Sequence, residues 1–239
     1  MNIYWFGRHS DKDFSYVSDL LEDSGFYGWL IPYGAGHLDP FTRVARSLKK
    51  EQKLKYLVAV RPYTISAQYL LSIIKSLDSI EEDRVRINFV PGFSDGEESF
   101  GGVFSDVNDA TPFEDRKKFF CSYLEKFKDW DIKKPYTYVS GMQDSLCPNM
   151  DSLGDANIVS YGRIFDGTLD PSDKTKIIFF PVLNIESFKT ILAEIKSKGY
   201  NNVMIHAHSY DQPDEDKMFD LALEVFKEVK SMKLNENLL

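Results

Sequence analysis

Residues 55–61 read Lys-Tyr-Leu-Val-Ala-Val-Arg, and this stretch gives the clearest indication of the fold. Its five central residues are apolar or aromatic, without the polar alternation of a half-exposed strand. A continuous apolar run of this length is typical of a strand that a parallel sheet buries on both faces. Parallel strands need long crossover connections, which are usually helices, so the flanking residues should be helical.

Helical and strand patterns alternate outward from this stretch in both directions. Helical spacing follows it at Ser66–Leu77 and precedes it at Pro40–Gln52, where a proline stands in the first turn. The other predicted strands are Asn2–Gly7, Gly28–Tyr33, Val85–Val90, Pro135–Ser140, Ile158–Tyr161, Lys176–Leu183 and Val203–Ala207. The other predicted helices are Asp13–Ser24, Pro112–Trp130, Ser187–Lys198 and Asp214–Met232. Eight strands with helices after most of them predict an α/β fold, a (β/α)8 barrel.

The length of 239 residues fits this fold, since such barrels typically have about 250 residues. The connection Gly162–Thr175 contains Gly167 and Pro171 and lacks a helical stripe, so we expect it to cross without a full helix. No linker, composition break or internal repeat interrupts the pattern. The sequence therefore predicts one domain over residues 1–239.

Composition and charge exclude several classes of function. The net charge of −8 makes nucleic acid an improbable partner. The longest apolar runs, such as Tyr56–Val60 and Ile177–Leu183, fall far short of the ~20 residues that span a bilayer. No signal-peptide pattern is present, and Cys121 and Cys147 allow at most one disulfide. We therefore expect a cytoplasmic protein with reduced thiols and no membrane or nucleic-acid partner.

All four histidines stand at or after the ends of predicted strands. His9 follows the first strand, His37 follows the second, and His206 and His208 close the eighth. Active sites of these barrels lie at the carboxyl ends of the strands, and strands 8, 1 and 2 become neighbours when the barrel closes. A shared pocket explains all four, whereas local hydrogen bonding at strand ends explains any one of them.

A metal site has weaker support from the sequence. His206 and His208 are two residues apart on a strand, so their side chains share a face and could bind zinc, as in a metal-dependent hydrolase. The nearest carboxylates, Asp39 and Asp211, lie in loops without clear ligand spacing. We expect no metal, and the hydrolase is kept as an alternative.

Two loop segments and Arg61 are candidates for binding an anion. Gly34–Asp39 lacks the third glycine of a dinucleotide fingerprint and is better explained as a tight turn. Ser140–Ser145 follows a strand, and a helix beginning there could bind phosphate. Arg61 ends an apolar strand and could pair with a carboxylate or face an electron-rich cofactor. Arg84 and Arg86 stand at the opposite end of the barrel, where a structural role is expected.

Several segments together resemble the bacterial luciferase-like flavin monooxygenase family, with the alkanesulfonate monooxygenase branch the most similar. The resemblance is good over residues 2–145 and weaker, though collinear, to about residue 232. Its most specific part is the Val-Ala-Val-Arg-Pro strand followed by Arg-x-x-Ile-Asn-x-Val-x-Gly. The matching segments are Asn2–Phe6 with His9, Gly28–Gly34, Leu54–Pro62, Arg84–Gly92 and Gly101–Phe104.

The resemblance implies a barrel that binds reduced FMN (FMNH2) at the strand ends and uses O2 to oxygenate a small-molecule substrate. It also implies a separate NAD(P)H:flavin reductase as partner and a homodimer. The catalytic residues it implies are His9, His37 and His208. The implied cofactor-binding residues are Ala59, Val60, Arg61, Asn88, Ser140, Gly141, Met142, Gln143 and Ser145.

The chain departs from the family pattern at three places. Pro112-Phe113 replaces the usual Arg-Tyr, Ile177–Leu183 lacks the arginine and histidine of the sulfonate enzymes, and the long insertion after that strand is missing. The barrel is therefore trimmed around strands 6 to 8, and we expect a substrate other than a simple alkanesulfonate. A non-catalytic flavin-binding protein or accessory subunit and a deazaflavin-dependent oxidoreductase remain alternatives. Residues 92–111 suit a loop over the site.

Overall fold

A computed structural model of the chain describes residues 1–7, 14–32, 38–92, 111–140, 152–164, 169, 176–206 and 215–236. At residues 113, 215–219 and 234–236 it describes the backbone alone.

Eight parallel strands close into a barrel in sequence order, and the last strand pairs with the first. This arrangement confirms the predicted (β/α)8 barrel. The sixth strand begins two residues earlier than the sequence predicted. The strands are β1 (Asn2–Phe6), β2 (Gly28–Ile31), β3 (Lys55–Val60), β4 (Val85–Phe89), β5 (Thr137–Ser140), β6 (Ala156–Ser160), β7 (Lys176–Pro181) and β8 (Asn202–His206).

Helices follow the first four strands and the last two in the described part of the chain. They are α1 (Phe14–Asp23), α2 (Pro40–Ser47), α3 (Ala67–Asp78), α4 (Phe113–Asp129), α5 (Ile185–Ser197) and α6 (Glu215–Glu236). After β6 the described residues form a 3-10 helix, Tyr161–Ile164, and residues 165–168 and 170–175 lie outside the description. The described part of this crossover is thus as thin as the sequence predicted.

Alternation along the strands divides the side chains into an outer and an inner layer. The outer layer faces the helices and includes Trp5, Trp29, Val58, Phe89 and Phe180. The inner layer fills the barrel, and its buried members are Tyr4, Leu30, Leu57, Ala59, Tyr138, Ala156, Ile158, Ile177 and Met204. Position within this alternation decides which side chains can reach a ligand inside the barrel.

Side-chain caps fix where the helices begin. Asp39 precedes α2 and accepts a hydrogen bond from the Thr42 backbone N–H at 2.9 Å. Ser66 caps α3 in the same way, and Asn184 caps α5 in a reciprocal arrangement with Ser187. The tight turn that the sequence predicted for Gly34–Asp39 ends on a helix cap, while residues 33–37 lie outside the description.

A polar cluster closes the amino end of the barrel. Arg86 donates to the Tyr138 hydroxyl at 3.1 Å, and that hydroxyl lies 3.2 Å from the Tyr4 hydroxyl. The Arg86 guanidinium also packs over the rings of Tyr136, at 4.6 Å, and Tyr27, at 5.7 Å. We call these five residues the floor. Their contacts support the structural role expected for Arg86.

The floor holds its tyrosines in the neutral form. Burial raises the pKa of Tyr4 and of Tyr138 above the usual value near 10. Burial, followed by the nearby Tyr138, raises the pKa of Tyr136 to about 12. A phenolate here would lose hydration, so the hydroxyls remain hydrogen-bonding groups across the neutral pH range.

Arg84, the other arginine at this end, binds backbone carbonyls. Its side chain donates from Nε to Leu54 O at 2.7 Å and from Nη1 to Gln52 O at 2.6 Å. Both contacts tie the start of β4 to the turn that precedes β3. Arg84 therefore has the structural role that its position in the sequence predicted.

The expectation of reduced thiols is wrong at Cys121, because this residue of α4 is disulfide-bonded. The chain's other cysteine, Cys147, lies outside the described residues. Sequence analysis allowed at most one disulfide but gave no signal that Cys121 takes part in one. Among the helices of the described residues, none combines the length and apolarity required to span a bilayer.

Candidate functional site

Three polar side chains lie at the carboxyl ends of adjacent strands on the inner side. Asn88 belongs to β4, Ser140 ends β5, and Arg61 follows β3 directly. Ala59 and Tyr138 are inner-layer residues, so alternation places Arg61 and Ser140 on the inner side as well. We call Arg61, Asn88 and Ser140 the polar wall.

Asn88 is the best-defined ligand-binding group of the polar wall. The Ser140 hydroxyl donates to Asn88 Oδ1 at 2.8 Å, which fixes the amide plane. The amide nitrogen, Asn88 Nδ2, is buried without a hydrogen-bond partner, and the residue is 1% exposed. A buried donor left unsatisfied destabilises a fold by about 1–3 kcal/mol, so native proteins rarely keep one without a reason. A ligand oxygen inside the barrel would satisfy it.

Arg61 brings a positive charge to the same wall. The residue is 3% exposed, and its carbonyl accepts hydrogen bonds from the backbone N–H and the hydroxyl of Thr64 at 2.9 and 2.8 Å. These bonds hold the 3-10 helix Pro62–Thr64 directly above the strand end. A guanidinium at this depth favours an anionic or electron-rich group beside it.

Ala59 and Val60 point to opposite sides of the sheet. Ala59 belongs to the inner layer, where its small side chain lets a ligand approach the wall. The Val60 side chain packs in the outer layer, and its carbonyl accepts a hydrogen bond from the Val90 N–H at 3.0 Å. The Val60 side chain therefore faces away from the barrel interior, and the cofactor contact that the resemblance implied for Val60 stays a prediction.

An aromatic cluster occupies the corresponding strand ends on the other side of the barrel. Phe6 ends β1, Phe179 belongs to β7 and His206 ends β8. The Phe6 and His206 rings stack at 4.8 Å with an interplanar angle of 24°. Phe179 lies 6.0 Å from Phe6 and 6.2 Å from His206. We call these three residues the aromatic wall.

The two walls face each other. In a closed barrel of eight strands, the strand four places along lies directly across the interior, so β8 is opposite β4. His206 is thus opposite Asn88, with Phe6 and Phe179 on either side of His206. Sequence analysis found His206 but placed the catalytic role on other histidines.

The remaining predicted site residues lie outside the described residues. They are His9, His37, His208, Gly141, Met142, Gln143 and Ser145. Parallel pairing of β1 with both β2 and β8 confirms that the three strands preceding these histidines are neighbours. The roles of the seven residues stay predictions.

The described residues hold no group of three or more histidine, cysteine, aspartate or glutamate side chains placed to bind a metal. Asp39, which was considered as a ligand, accepts hydrogen bonds from Thr42 as a helix cap. His208 and Asp211 lie outside the description, so the zinc alternative stays untested on that side.

Arg116 is a buried residue near the open end that sequence analysis missed. It stands in the first turn of α4, is 1% exposed, and donates to Thr111 O at 3.0 Å and Pro91 O at 3.4 Å. A Cβ on Gly92, which has φ +82°, would come within 2.7 Å of the Arg116 guanidinium and 2.4 Å of the Tyr63 hydroxyl. Arg116 thus joins the two ends of segment 93–110. Its signal in the sequence is its place in the first turn of α4, directly after Glu114 and Asp115.

Two clefts bordered by described residues lie away from both walls. One of about 270 Å³ lies between α5 and α6, and one of about 500 Å³ lies beside the amino end of β1, β2 and β3. Neither is lined by a predicted site residue. The polar and aromatic walls therefore carry the argument for a site at the carboxyl end.

Comparison with known proteins supports the fold and gives no family. No protein-family model matches the chain. An F420-dependent secondary alcohol dehydrogenase, solved with an F420-acetone adduct, superposes with a TM-score of 0.66 at 11% identity, covering 94% of this chain and 97% of that one. The coenzyme F420-dependent tetrahydromethanopterin reductase from Methanopyrus kandleri gives a TM-score of 0.54 at 12% identity, with 93% and 96% covered.

A third similar structure is an EDTA monooxygenase from Chelativorans sp. BNC1. Its TM-score is 0.54 at 13% identity, with 82% of this chain and 69% of that chain covered. At such low identity these likenesses establish a shared fold. They do not favour the alkanesulfonate branch over other proteins of this fold.

Proposed function

We propose that the protein is an oxidoreductase of the luciferase-like type that binds a flavin-type cofactor against the polar wall. The observation that carries the proposal is the buried, unpartnered Asn88 Nδ2 at the carboxyl end of β4. The carbonyl oxygens of an isoalloxazine or deazaflavin ring are acceptors of the kind this donor lacks. Two proteins with F420 in their names share the fold.

Each residue of the polar wall has a distinct part in holding the ring. Asn88 would donate to a ring carbonyl, and Ser140 keeps that amide oriented through its bond to Oδ1. Arg61 would stabilise negative charge on the reduced ring, since the guanidinium is protonated at every physiological pH. Ala59 leaves space for the ring edge. The predicted phosphate turn, Gly141–Ser145, follows Ser140 directly in the chain.

The finer form of the proposal is an FMN-dependent monooxygenase. Reduced FMN would supply the electrons with which O2 oxygenates a small organic substrate, and a separate NAD(P)H:flavin reductase would supply the reduced flavin. His9, His37 and His208 are proposed as acid–base or hydrogen-bonding groups, because imidazole titrates near neutral pH. The protein would also exclude water from the ring and is proposed to act as a homodimer.

The second candidate is a deazaflavin-dependent oxidoreductase. The near full-length likeness to two F420-dependent enzymes favours it. In this form no O2 is consumed and no flavin reductase is needed. A flavin-binding protein without turnover is a third form, which differs from the others only in lacking a product.

A binding titration tests the proposal and separates its forms. Purified protein is titrated anaerobically with reduced FMN, and separately with F420, while absorbance and fluorescence are followed. We expect one cofactor to bind, and Asn88→Ala to weaken binding about tenfold, which corresponds to one hydrogen bond. Asn202→Ala is the matched control, because Asn202 bonds Asn2 at the opposite end of the barrel. Binding of neither cofactor, or equal effects of both variants, would overturn the proposal.

The cellular compartment of the protein is inferred from the redox state of its cysteines. The sequence predicted the cytoplasm, but the disulfide at Cys121 favours an oxidising environment, because cytosolic thiols are usually kept reduced. The cytoplasmic location therefore stays a prediction from the sequence.

A further inference from the structure

We propose that the aromatic wall is the substrate-facing surface and selects an uncharged, largely apolar substrate. This inference rests on the proposed function, since it assigns to the substrate the side of the barrel opposite the cofactor. The residues concerned are Phe6, Phe179 and His206, on the adjacent strands β1, β7 and β8.

The position and exposure of the two phenylalanines favour a binding surface. Both face the interior and pack against the inner layer, yet both are only partly buried. By contrast, Phe180, the next residue of β7, and Phe89, at the end of β4, face the helices and are fully buried. Interior-facing rings that keep some exposure at the carboxyl end are available to a ligand, and their apolar surface favours apolar groups.

His206 supplies the polar atoms of this wall. One face of its imidazole stacks on Phe6, so the ring plane is held while the nitrogens lie at its edge. An imidazole has an N–H donor in every protonation state that proteins adopt, and its neutral form adds one acceptor. One oxygen of a bound molecule can therefore be hydrogen-bonded next to an apolar surface.

A charged substrate fits this wall poorly. An anionic group placed against two phenylalanine rings loses hydration, and among the described residues of this wall only His206 can donate a hydrogen bond to it. Arg61, the cation of the polar wall, lies on the opposite side of the barrel with the proposed cofactor. The geometry thus favours a small alcohol, carbonyl compound or similar neutral molecule over a sulfonate or carboxylate.

Two ring compounds of matched shape test the selection by charge. Cyclohexanone and cyclohexanesulfonate are compared as ligands by saturation-transfer NMR and by titration, with and without the bound cofactor. We expect cyclohexanone to bind at least tenfold more tightly than cyclohexanesulfonate. Equal affinity, tighter binding of the sulfonate, or binding of neither compound would overturn the inference.

Substitutions then locate the bound ring. Phe179→Ala should weaken cyclohexanone binding about tenfold, and Phe179→Leu less than threefold, because leucine keeps apolar surface at the wall. His206→Phe should weaken binding of the ketone about fivefold while keeping the stacked ring. Phe180→Leu is the control, because Phe180 is the adjacent residue of β7 and packs on the helix side.

The readouts separate this inference from the proposed function. Thermal melting shows whether a variant is folded, and the cofactor titration is run on each variant. Unchanged ketone affinity in folded Phe179→Ala overturns the aromatic wall as the substrate surface, whatever the cofactor result. Loss of cofactor binding alone, with ketone binding and its dependence on Phe179 intact, contradicts the proposed cofactor and leaves this inference supported.

Discussion

The two ends of the barrel interior use similar residues in opposite ways. At the amino end, Arg86 donates to Tyr138 and packs over two further tyrosine rings, although its Nε is buried without a hydrogen-bond partner. At the carboxyl end, Asn88 Nδ2 is buried without a partner, and Phe6 and Phe179 are only partly buried. The floor is therefore a closely packed cluster, whereas the walls include a donor and apolar ring surface that a ligand could contact.

The comparison also explains why polarity alone does not mark a site. Both ends carry a buried arginine on a strand of the same sheet, Arg86 on β4 and Arg61 after β3. What distinguishes the ends is that the Arg86 guanidinium is covered by two tyrosine rings and bonded to a third tyrosine, whereas the aromatic wall keeps part of its ring surface exposed. Substitutions at the floor should therefore change stability without changing ligand binding, and substitutions at the walls should do the reverse.

Removal of the floor arginine should have the largest effect. Arg86→Met would lose the hydrogen bond to Tyr138 and the contacts with two tyrosine rings, lowering the free energy of unfolding by about 2–4 kcal/mol. Urea denaturation measures this. Cofactor affinity of the folded fraction should stay within twofold of the parent protein. A tenfold loss of affinity with little loss of stability would show that the floor and the walls are not separate in function.

Gly28→Ala should come next, because Gly28 provides room for a floor ring. A Cβ at this position of β2 would lie 2.8 Å from Tyr4 Cδ1 and 3.0 Å from Leu57 Cδ1. Overpacking of this kind lowers stability by about 1–3 kcal/mol. Thermal and urea melts provide the measurement, and Gly162→Ala is the control, since its nearest contact is an ordinary 3.8 Å. Equal melting of the two variants would contradict the close packing at Gly28.

Alkaline pH should weaken the floor. The folded-state pKa of Tyr138 is raised by burial, so above pH 10 the unfolded chain releases a proton that the folded chain retains. Stability is therefore complete below pH 10 and falls as the pH rises further. Between pH 8 and pH 11 the parent should lose of order 1 kcal/mol more than Tyr138→Phe. Parallel slopes in the two proteins would contradict this assignment.

The smallest effect on stability is expected at the polar wall. Asn88→Ala removes an amide nitrogen that has no partner in the fold and one bond from Ser140. These terms oppose each other, so the free energy of unfolding should change by less than about 1 kcal/mol. Urea melts of the ligand-free variant test this. A loss as large as that of Arg86→Met would mean that Asn88 is a structural residue like those of the floor.

The barrel was predictable from sequence because its signals are local and repeated. Tyr56–Val60 is apolar or aromatic throughout and buried, and the crossover helices carry regular apolar spacing and capping residues such as Ser66. Patterns of this kind depend on neighbours in the chain. Element bounds differ from the predicted ones by a few residues where caps or pairing decide them. The helix α2, for example, ends at Ser47, whereas the sequence predicted an end at Gln52.

The site was less predictable because pairing across strands is not visible in a sequence. The resemblance identified Asn88 and Arg61, but only the structure shows that Asn88 Nδ2 lacks an acceptor while its Oδ1 accepts from Ser140, 52 residues later. The Val60 side chain faces the helices because one position along a strand reverses the direction of a side chain, and its cofactor contact stays a prediction. Phe6, Phe179 and His206 come together only when the barrel closes. The disulfide at Cys121 likewise depends on tertiary proximity.

The position of Arg116 affects which segments the chain could accept between Pro91 and Thr111. One buried side chain, Arg116, donates to both Pro91 O and Thr111 O, which flank a segment of 19 residues. The entropy of closing a loop grows only slowly with its length. Segments of different length and sequence could therefore be exchanged between these two points as a cassette, leaving the register of β4 and α4 unchanged. Arg116 makes this part of the barrel's rim a replaceable module.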